Sequence, residues 1–264
     1  KEAEKHLWEK IYKKSGQGRR TGVGITAEGD MLAAMGLRYG TEDATEFSEQ
    51  VHKTIALEAY RSSVNMAKER GAFAIYDSER EKNNPFINRL KEADPNLYEE
   101  MKKYGRRNIA CLTIAPTGTT SLMTQTTSGI EPVFMPVYKR RRKVNPNDPQ
   151  THVDFVDETG DAFEEWMTVN GYDPTKRYTQ EEIDELVEKS PYYKATSNDV
   201  DWLMKVKMQG RIQKWVDHSI SVTINLPNDV DEALVNRLYV EAWRSGCKGC
   251  TVYRDGSRSG VLLS

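Results

Sequence analysis

Apolar residues recur at helical spacing through the first hundred residues of the chain. The clearest stretch runs from Thr41 to about Arg70, and Gly71 follows it as the left-handed residue that commonly closes a helix. One face of this stretch is apolar at a period of 3.6 residues, with Phe47, Val51, Ile55, Ala59, Val64 and Ala67. The pattern predicts a long amphipathic helix from Thr41 to Arg70.

Two shorter helices are predicted before this long one. Apolar side chains stand among lysines and glutamates over residues 1–14, and Gly16 and Gly18 are expected to end that helix. A glycine-rich turn follows, and a second short helix is expected to begin at Asp30.

The pattern changes after residue 107. Residues 108–115 are nearly continuously apolar, which is typical of a strand buried on both faces. Residues 219–226 alternate β-branched and small polar side chains, and residues 250–253 indicate a last short strand. Residues 227–229 are expected to cap the helix that follows the second strand. Helical patterns separate the strands at 180–189, 209–216 and 230–245. Strands that alternate with helices predict an α/β fold with parallel strands.

Composition narrows the class of protein. The chain has 264 residues, 38% hydrophobic and 30% charged, with a net charge of −2, so no overall basic field attracts nucleic acid. No apolar run approaches the roughly 18 residues of a membrane span, and three cysteines are few for a disulfide framework. We therefore expect a cytoplasmic protein without a metal site, folded as one domain over 1–264, with 139–200 as surface elaboration.

A hydroxyl-rich turn follows the first predicted strand. Residues 116–121 read Pro-Thr-Gly-Thr-Thr-Ser, and a helix is expected to begin nearby. The amide groups at a helix N-terminus bind anions well, and Gly118 would let an anion approach the backbone closely. Without Gly-Lys-Ser or Gly-Lys-Thr, the turn is not a Walker A loop. Two interpretations stay open at this point: a phosphate-binding cradle, or a hydroxyl-capped helix without a ligand.

Longer blocks of the sequence resemble adenosylcobalamin-dependent (class II) ribonucleotide reductases. Residues 111–121 and 128–134 resemble the loop with which that family holds the substrate phosphates. Residues 22–31 resemble the family's glycine-rich segment near the barrel. Residues 215–229 resemble a late barrel strand with the helix start after it, and residues 245–258 resemble the closing segment, all in the family's order. The resemblance implies the C-terminal portion of a ten-stranded α/β barrel, with parallel strands and outer helices.

The resemblance also assigns roles to particular residues. It implies that the substrate phosphates are held by Thr117, Gly118, Thr119, Thr120 and Ser121. Glu131 would support this loop from behind, or would be an ordinary buried or capping carboxylate. The implied activity is reduction of ribonucleotides to 2′-deoxyribonucleotides by radical chemistry, with adenosylcobalamin as cofactor and a thiol as reductant.

The chain departs from the family's pattern in an important place. The family's radical cysteine lies in an Asn-x-Cys-x-Glu loop, and the sequence contains no such motif. We therefore expect the radical centre to belong to the remaining N-terminal part of the reductase, and this chain to be inactive alone. The alternative is a non-catalytic nucleotide-binding or assembly module that needs a partner chain. Two smaller departures are Glu28, where an apolar residue is expected, and a short stretch near 165–166.

Two further features each have a structural and a functional interpretation. Cys247 and Cys250 form a Cys-x-x-Cys pair, which is either a redox couple, half of a zinc site or two ordinary thiols; the last is favoured. Cys111 is expected to be a buried inert thiol. The basic run at 139–143 would suit nucleic acid, but the negative net charge disfavours that function.

Overall fold

A computed structural model describes residues 2–134, 137–143, 151–157, 160–257 and 262–263. The helices are α1 (Glu2–Gly18), α2 (Glu28–Ala34), α3 (Glu42–Arg70), α4 (Ser78–Glu81), α5 (Pro85–Ala93), α6 (Pro95–Tyr104), α7 (Gly118–Thr124), α8 (Gly160–Val169), α9 (Gln180–Lys189), α10 (Trp202–Gln213) and α11 (Glu232–Arg244). The strands are β1 (Val137–Lys143), β2 (Thr151–Asp157), β3 (Thr223–Leu226), β4 (Thr251–Arg254) and β5 (Leu262–Leu263). None of the described helices has the length and apolar character needed to cross a membrane.

The chain folds as two compact units. The first contains the chain up to Gly24 together with Glu49–Ile114 and Ile212–Ile220. The second contains Ile25–Ser48, Ala115–Arg211 and the chain from Ser221 onward. The boundary therefore runs through helix α3, and the hydroxyl-rich turn begins where the chain passes from the first unit into the second.

The helices of the first unit largely follow their predictions. Helix α3 confirms the long predicted helix, and Gly71 has the expected positive φ of 77°. Helix α1 continues to Gly18, so the prediction that Gly16 ends it was wrong. A Cβ at Gly16 would meet no atom within 4 Å, and a solvent-exposed glycine of this kind weakens a helix without stopping it.

A buried cation lies inside the first unit. Arg106 is 2% exposed, and its guanidinium donates to both carboxylate oxygens of Glu81 at 2.5 and 2.6 Å. The same guanidinium lies 5.3–5.7 Å from the ring centroids of Tyr60, Phe73 and Tyr76. Bidentate pairing and ring contacts together offset the cost of removing this charge from water.

The first predicted strand, 108–115, is much reduced. Only isolated parallel bridges form there, from Leu112 to Val23 and from Ile114 to Ile220. The cause is the buried carboxylate of Asp217, which accepts the amides of Cys111 at 2.7 Å and Leu112 at 2.9 Å. These amides are therefore unavailable to a neighbouring strand. The predicted parallel direction is confirmed, but the predicted length was wrong.

The second unit contains the two-stranded parallel sheet β3–β4. Ile224 and Leu226 of β3 pack against Val206, Leu238 and Ala242 in one buried cluster. The sheet confirms the parallel direction, although β3 is shorter than the predicted strand over 219–226. Helix α11 begins after Asp231, whose side chain accepts the amide of Ala233; the prediction that residues 227–229 cap it was wrong.

The region 139–200 contains both unpredicted and predicted elements. Strands β1 and β2 pair antiparallel over their full length, against the expectation of parallel strands, and the basic run lies within β1. Helix α9 confirms the predicted helix at 180–189, and its N-terminus is a capping box of Thr179 and Glu182. Trp166, Met167 and Leu186 of this region are buried together.

We predict that Asp217→Ala destabilises the chain by about 3 kcal/mol or more. The substitution leaves two buried amides and the Tyr60 hydroxyl, which donates to Asp217 at 2.6 Å, without their acceptor, and each costs roughly 1–3 kcal/mol. Urea unfolding followed by circular dichroism measures the change. Asp229→Ala removes an exposed carboxylate and serves as the matched control. Equal stability of the two variants would contradict the anchoring role.

Candidate phosphate-binding site

The hydroxyl-rich turn has a strained start. Thr117 has φ 50° and ψ 19°, the left-handed conformation that a β-branched residue rarely adopts. Helix α7 begins at the next residue, and Thr117 makes no side-chain cap hydrogen bond to it. The interpretation in which a threonine hydroxyl caps this helix is therefore not realised at Thr117. Strain of this kind persists only where surrounding contacts impose it.

Those contacts come from the Thr117 hydroxyl. Its Oγ1 accepts the amide of Gly129 at 2.8 Å and lies 3.1 Å from Oγ1 of Thr26. Thr26 in turn donates to the carbonyl of Thr127 at 2.9 Å. The side chain of Thr117 thus joins three segments of the second unit: the glycine-rich turn, the hydroxyl-rich turn and the segment that follows helix α7.

A second carboxylate holds the segment after helix α7. Oδ2 of Asp30 accepts from the amide of Thr127 at 2.8 Å and from its hydroxyl at 2.5 Å. Burial raises the pKa of Asp30 above its ordinary value, while the bonds from Thr127 oppose the shift. Gly29 allows the close approach, because a Cβ there would lie 3.1 Å from both the Glu131 carbonyl and the Thr127 side chain.

The outer face of the turn is open. Gly118, Thr119 and Thr120 are exposed, and a Cβ at Gly118 would meet no atom within 4 Å. The first hydrogen bond of helix α7 is donated by the Ser121 amide to the Thr117 carbonyl at 2.8 Å. The amides of the three preceding residues point out of the helix end without an intrahelical acceptor. The amides of Gly118, Thr119 and Thr120 and the side chains of the two threonines are therefore accessible to a ligand from solvent.

Ser121 has a different environment from its neighbours. It is 3% exposed, and its Oγ lies 2.7 Å from Oγ of Ser128 and 3.2 Å from the carbonyl of Gly118. Both contacts lie within the loop. The geometry therefore separates the five residues named from the sequence: Thr117 and Ser121 hold the loop together, whereas Gly118, Thr119 and Thr120 form its accessible surface.

Glu131 lies behind the loop, at the start of strand β3. Its Oε1 accepts the amide of Thr223 at 2.8 Å, which fixes the 129–131 turn to the sheet. The adjacent carbonyl of Ile130 accepts the buried hydroxyl of Tyr39 at 2.6 Å. Burial raises the pKa of Tyr39 well above its ordinary value, and the carboxylates of Glu28 and Glu131 add to the shift. Glu28 itself is fully buried.

A buried lysine lies close to this cluster. Lys205 is 4% exposed, and its Nζ donates to the carbonyl and hydroxyl oxygens of Ser197. The amide of Ser197 reaches the carbonyl of Val133 at 2.7 Å. Burial lowers the pKa of Lys205 to about 8, while the charges of Glu131 and Asp199 act in the opposite direction. Through Ser197, Lys205 thus helps to hold Val133, which lies two residues after Glu131.

The cysteines are poorly suited to nucleophilic chemistry. Cys247 and Cys250 are half-buried beside the β3 cluster, and burial raises the pKa of both thiols, that of Cys247 to about 12. Burial, with a further contribution from Asp217, also raises the pKa of Cys111 to about 12. Cys111 is 3% exposed, so its predicted burial is confirmed. All three side chains are thiols at neutral pH, and the redox role of Cys247 and Cys250 stays a prediction.

Several residues of the site were not identified from the sequence. Thr26, Asp30, Thr127 and Lys205 carry its internal hydrogen bonds, yet no sequence pattern marks them as a group. The adjacent Gly29 and Asp30 were a partial signal, since a glycine before a carboxylate allows a close backbone approach. Among the described residues, no group of three or more His, Cys, Asp or Glu side chains is arranged to hold a metal ion.

Comparison with known proteins identifies the family. The model of the ribonucleotide reductase barrel domain matches residues 2–253, so the chain belongs to this family. The vitamin B12-dependent ribonucleoside-diphosphate reductase of Mycobacterium tuberculosis is 30% identical over 255 residues, which cover 93% of this chain. The enzyme of the same name from Thermoplasma acidophilum is 32% identical over 271 residues, which cover the whole chain.

A solved structure shares the fold. The alpha subunit of the Actinobacillus ureae class Id ribonucleotide reductase aligns with a TM-score of 0.62 at 17% identity, covering 92% of this chain and 40% of that subunit. This likeness supports an α/β barrel-domain fold. The chain spans 32% of the length of each of the two curated relatives above.

We predict that Lys205 makes stability rise with pH above about 8. Its folded pKa of about 8 lies below the ordinary 10.5, so between these values only the unfolded chain holds the proton. Unfolding then takes up a proton, and the free energy of unfolding increases with pH by at most about 3 kcal/mol. Urea unfolding between pH 7.5 and 10 measures the slope.

The matched variants for this measurement are Lys205→Met and Lys207→Met. Both lysines lie in helix α10, but Lys207 is exposed. Lys205→Met should flatten the rise above pH 8, and Lys207→Met should keep it. If the slope is the same in Lys205→Met and in the unsubstituted chain, the buried amine is not its source.

Proposed function

We propose that this chain forms the phosphate-binding part of the catalytic barrel of a vitamin B12-dependent ribonucleotide reductase. The observation that carries the proposal is the open face of the 117–121 loop. Three outward-facing amides stand beside two exposed threonine hydroxyls on a loop held rigidly from behind. The names of the relatives support ribonucleoside diphosphates as the substrate class.

The loop's chemistry suits a phosphate group. Backbone amides at a helix start and nearby hydroxyls donate hydrogen bonds to phosphate oxygens, and the partial positive charge of the helix end favours the anion. Gly118, Thr119 and Thr120 would donate directly. Thr117 and Ser121 would act indirectly, since their hydroxyls are engaged within the loop. A phosphate held here would position the ribose for a reaction at a distance from the loop.

The exposed edge of the glycine-rich turn supports a larger barrel. The Val23 amide donates to the carbonyl of Cys111, and the Val23 carbonyl accepts the amide of Thr113. In a parallel ladder the main-chain groups of Gly22 and Gly24 then face the opposite side. A further strand on that side would belong to a larger barrel. Together with the match to the barrel-domain model, this supports our proposal that the chain is the C-terminal portion of a ten-stranded barrel.

The radical centre would lie outside this chain, since the sequence contains no Asn-x-Cys-x-Glu motif. Adenosylcobalamin would supply the initial radical when bound to the complete enzyme. We assign no described residue to the cofactor and no reaction step through it. The chain's own contribution is to hold and orient the nucleotide, and the thiol reductant would act on the complete enzyme.

We predict that disrupting the open face weakens nucleoside diphosphate binding at least tenfold. Thr119→Ala combined with Thr120→Ala removes two donors to a charged group, each worth roughly 1.5–3 kcal/mol. Gly118→Val places a branched side chain in open space beside the amides, so it should block the anion without disturbing the fold. Calorimetric titration with ADP and CDP measures the affinity. Thr54→Ala, an exposed helical threonine, is the control; unchanged affinity in all loop variants would overturn the assignment.

We further predict that ribonucleotide reduction requires a second chain. The assay contains adenosylcobalamin, a dithiol and CDP, with this chain alone and then with the N-terminal part of a relative. Reduction is expected only in the mixture, and Gly118→Val in this chain should abolish it. Activity of the chain alone would contradict the absence of a radical centre, and a fully active Gly118→Val mixture would contradict the phosphate role of the loop.

A further inference from the structure

A cationic cleft lies in the first unit, apart from the loop described above. It has a volume of about 580 Å³ and opens beside the C-terminal end of helix α1. Its lining includes Lys13, Arg19, Arg20 and Arg107. Among the described residues that line the cleft, none is Asp or Glu. The cleft therefore concentrates positive charge in a chain whose net charge is −2.

These charges are not neutralised by neighbours. Within the described part of the chain, no carboxylate forms an ion pair with Lys13, Arg19 or Arg20. Burial lowers the pKa of Arg107, and repulsion from Arg19 and Arg70 lowers it further. Neighbouring like charges are unfavourable by themselves, and an anion between them reduces the repulsion.

Capping of helix ends accounts for only part of the cluster. Nη1 of Arg107 donates to the carbonyls of Arg70 and Gly71 at 2.9 and 3.0 Å, at the C-terminal end of helix α3. Nη1 of Arg20 lies 3.5 Å from Nδ1 of His218, which is no helix carbonyl. Cations near helix C-termini are stabilising in general. That role leaves the convergence of Lys13 and Arg20 on one cleft unexplained.

The backbone beneath the cleft is rigid and strained. Arg19 has φ 49°, a left-handed conformation that glycine adopts at lower cost, although Gly16 and Gly18 stand nearby in the sequence. The Arg19 carbonyl accepts Nδ2 of Asn108 at 2.9 Å. On either side of Arg19, the Gly18 carbonyl accepts the Ile109 amide at 2.9 Å, and the Thr21 amide donates to the Ala110 carbonyl at 3.0 Å. Such strain at a cleft commonly marks a binding site.

We propose that this cleft binds a polyphosphate group. Lys13, Arg19, Arg20 and Arg107 would contact its oxygens, since guanidinium groups match phosphate geometry and the hydrogen-bonded backbone holds the main chain of Arg19 and Thr21 beside the cleft. Tyr12 is 84% exposed at the same cleft, and its ring offers a stacking surface for a base if the polyphosphate belongs to a nucleotide. The proposal does not depend on the phosphate loop, whose residues belong to the other unit.

Calorimetric titration of the 264-residue chain with inorganic tripolyphosphate at low salt tests the cleft. Gly118→Val is used as background, so that the 117–121 loop does not contribute. Saturable binding is expected, and Lys13→Gln with Arg20→Gln should weaken it at least tenfold, since a charge-assisted hydrogen bond is worth roughly that factor. Added salt should weaken it as well. Lys10→Gln, an exposed charge of helix α1 outside the cleft lining, is the matched control.

A second variant separates binding from folding. Arg19→Gly removes a cation and also relieves the left-handed strain, so the affinity should fall while the melting temperature stays equal or rises. A melting temperature that falls with the affinity would assign Arg19 to structure and overturn its binding role. Absence of saturable binding, or equal affinity in Lys10→Gln and in the Lys13→Gln, Arg20→Gln variant, would overturn the site.

The source of the polyphosphate is resolved by repeating the titration with ATP. Tighter binding of ATP than of tripolyphosphate, lost in Tyr12→Ala, supports a nucleotide as the bearer of the polyphosphate. Equal affinities that do not change in Tyr12→Ala support a site for the phosphate chain alone. In both cases the cationic residues of the cleft carry the affinity.

Discussion

The buried carboxylate of Asp217 is the interaction on which the first unit depends. It accepts two consecutive amides, of Cys111 and Leu112, and the hydroxyl of Tyr60. A side chain thereby takes these two amides away from strand pairing, while the carbonyls of Ala110 and Cys111 still accept the amides of Thr21 and Val23. The segment is thus fixed shortly before the first unit ends at Ile114.

The second unit builds the turn itself from small polar side chains. Thr26, Thr117 and the Gly129 amide form a connected set of hydrogen bonds, and the bond from Thr26 to the Thr127 carbonyl joins this set to Asp30. None of these bonds uses the groups on the outer face of residues 118–120. This division allows the loop to be rigid and still present hydrogen-bond donors to solvent. The same separation explains why Thr117 and Ser121, although adjacent to the exposed face, serve the loop's internal structure.

The amino-acid pattern predicted the elements that depend on local chemistry. Helix α3 has a sustained apolar stripe and a terminal glycine, and helix α9 has a capping box, so both were predictable within a few residues. The strand at 108–115 was overestimated because the decisive partner, Asp217, is a hundred residues away. The antiparallel pairing of β1 with β2 was missed because β1, a run of cations after Val137 and Tyr138, lacks the alternation that marks a half-buried strand.

The candidate site was predictable only in outline. The order of strand, glycine and hydroxyls located the loop, and the resemblance to a family predicted phosphate as its ligand. Which hydroxyls face solvent depends on Thr26, Gly129 and Ser128, whose contacts arise from tertiary folding. Similarly, Lys205 was not identified because a lysine in a helix is usually exposed, and only the packing of helix α10 buries it.

The left-handed Thr117 has a kinetic consequence. Because its conformation is imposed by Thr26 and Gly129 rather than by an anion, the loop does not need to reorganise when a ligand arrives. An encounter would then be limited by diffusion and desolvation, and differences in affinity among ligands would be expressed in how long each one stays. If the loop binds phosphate as proposed, it would therefore discriminate among ligands by residence time.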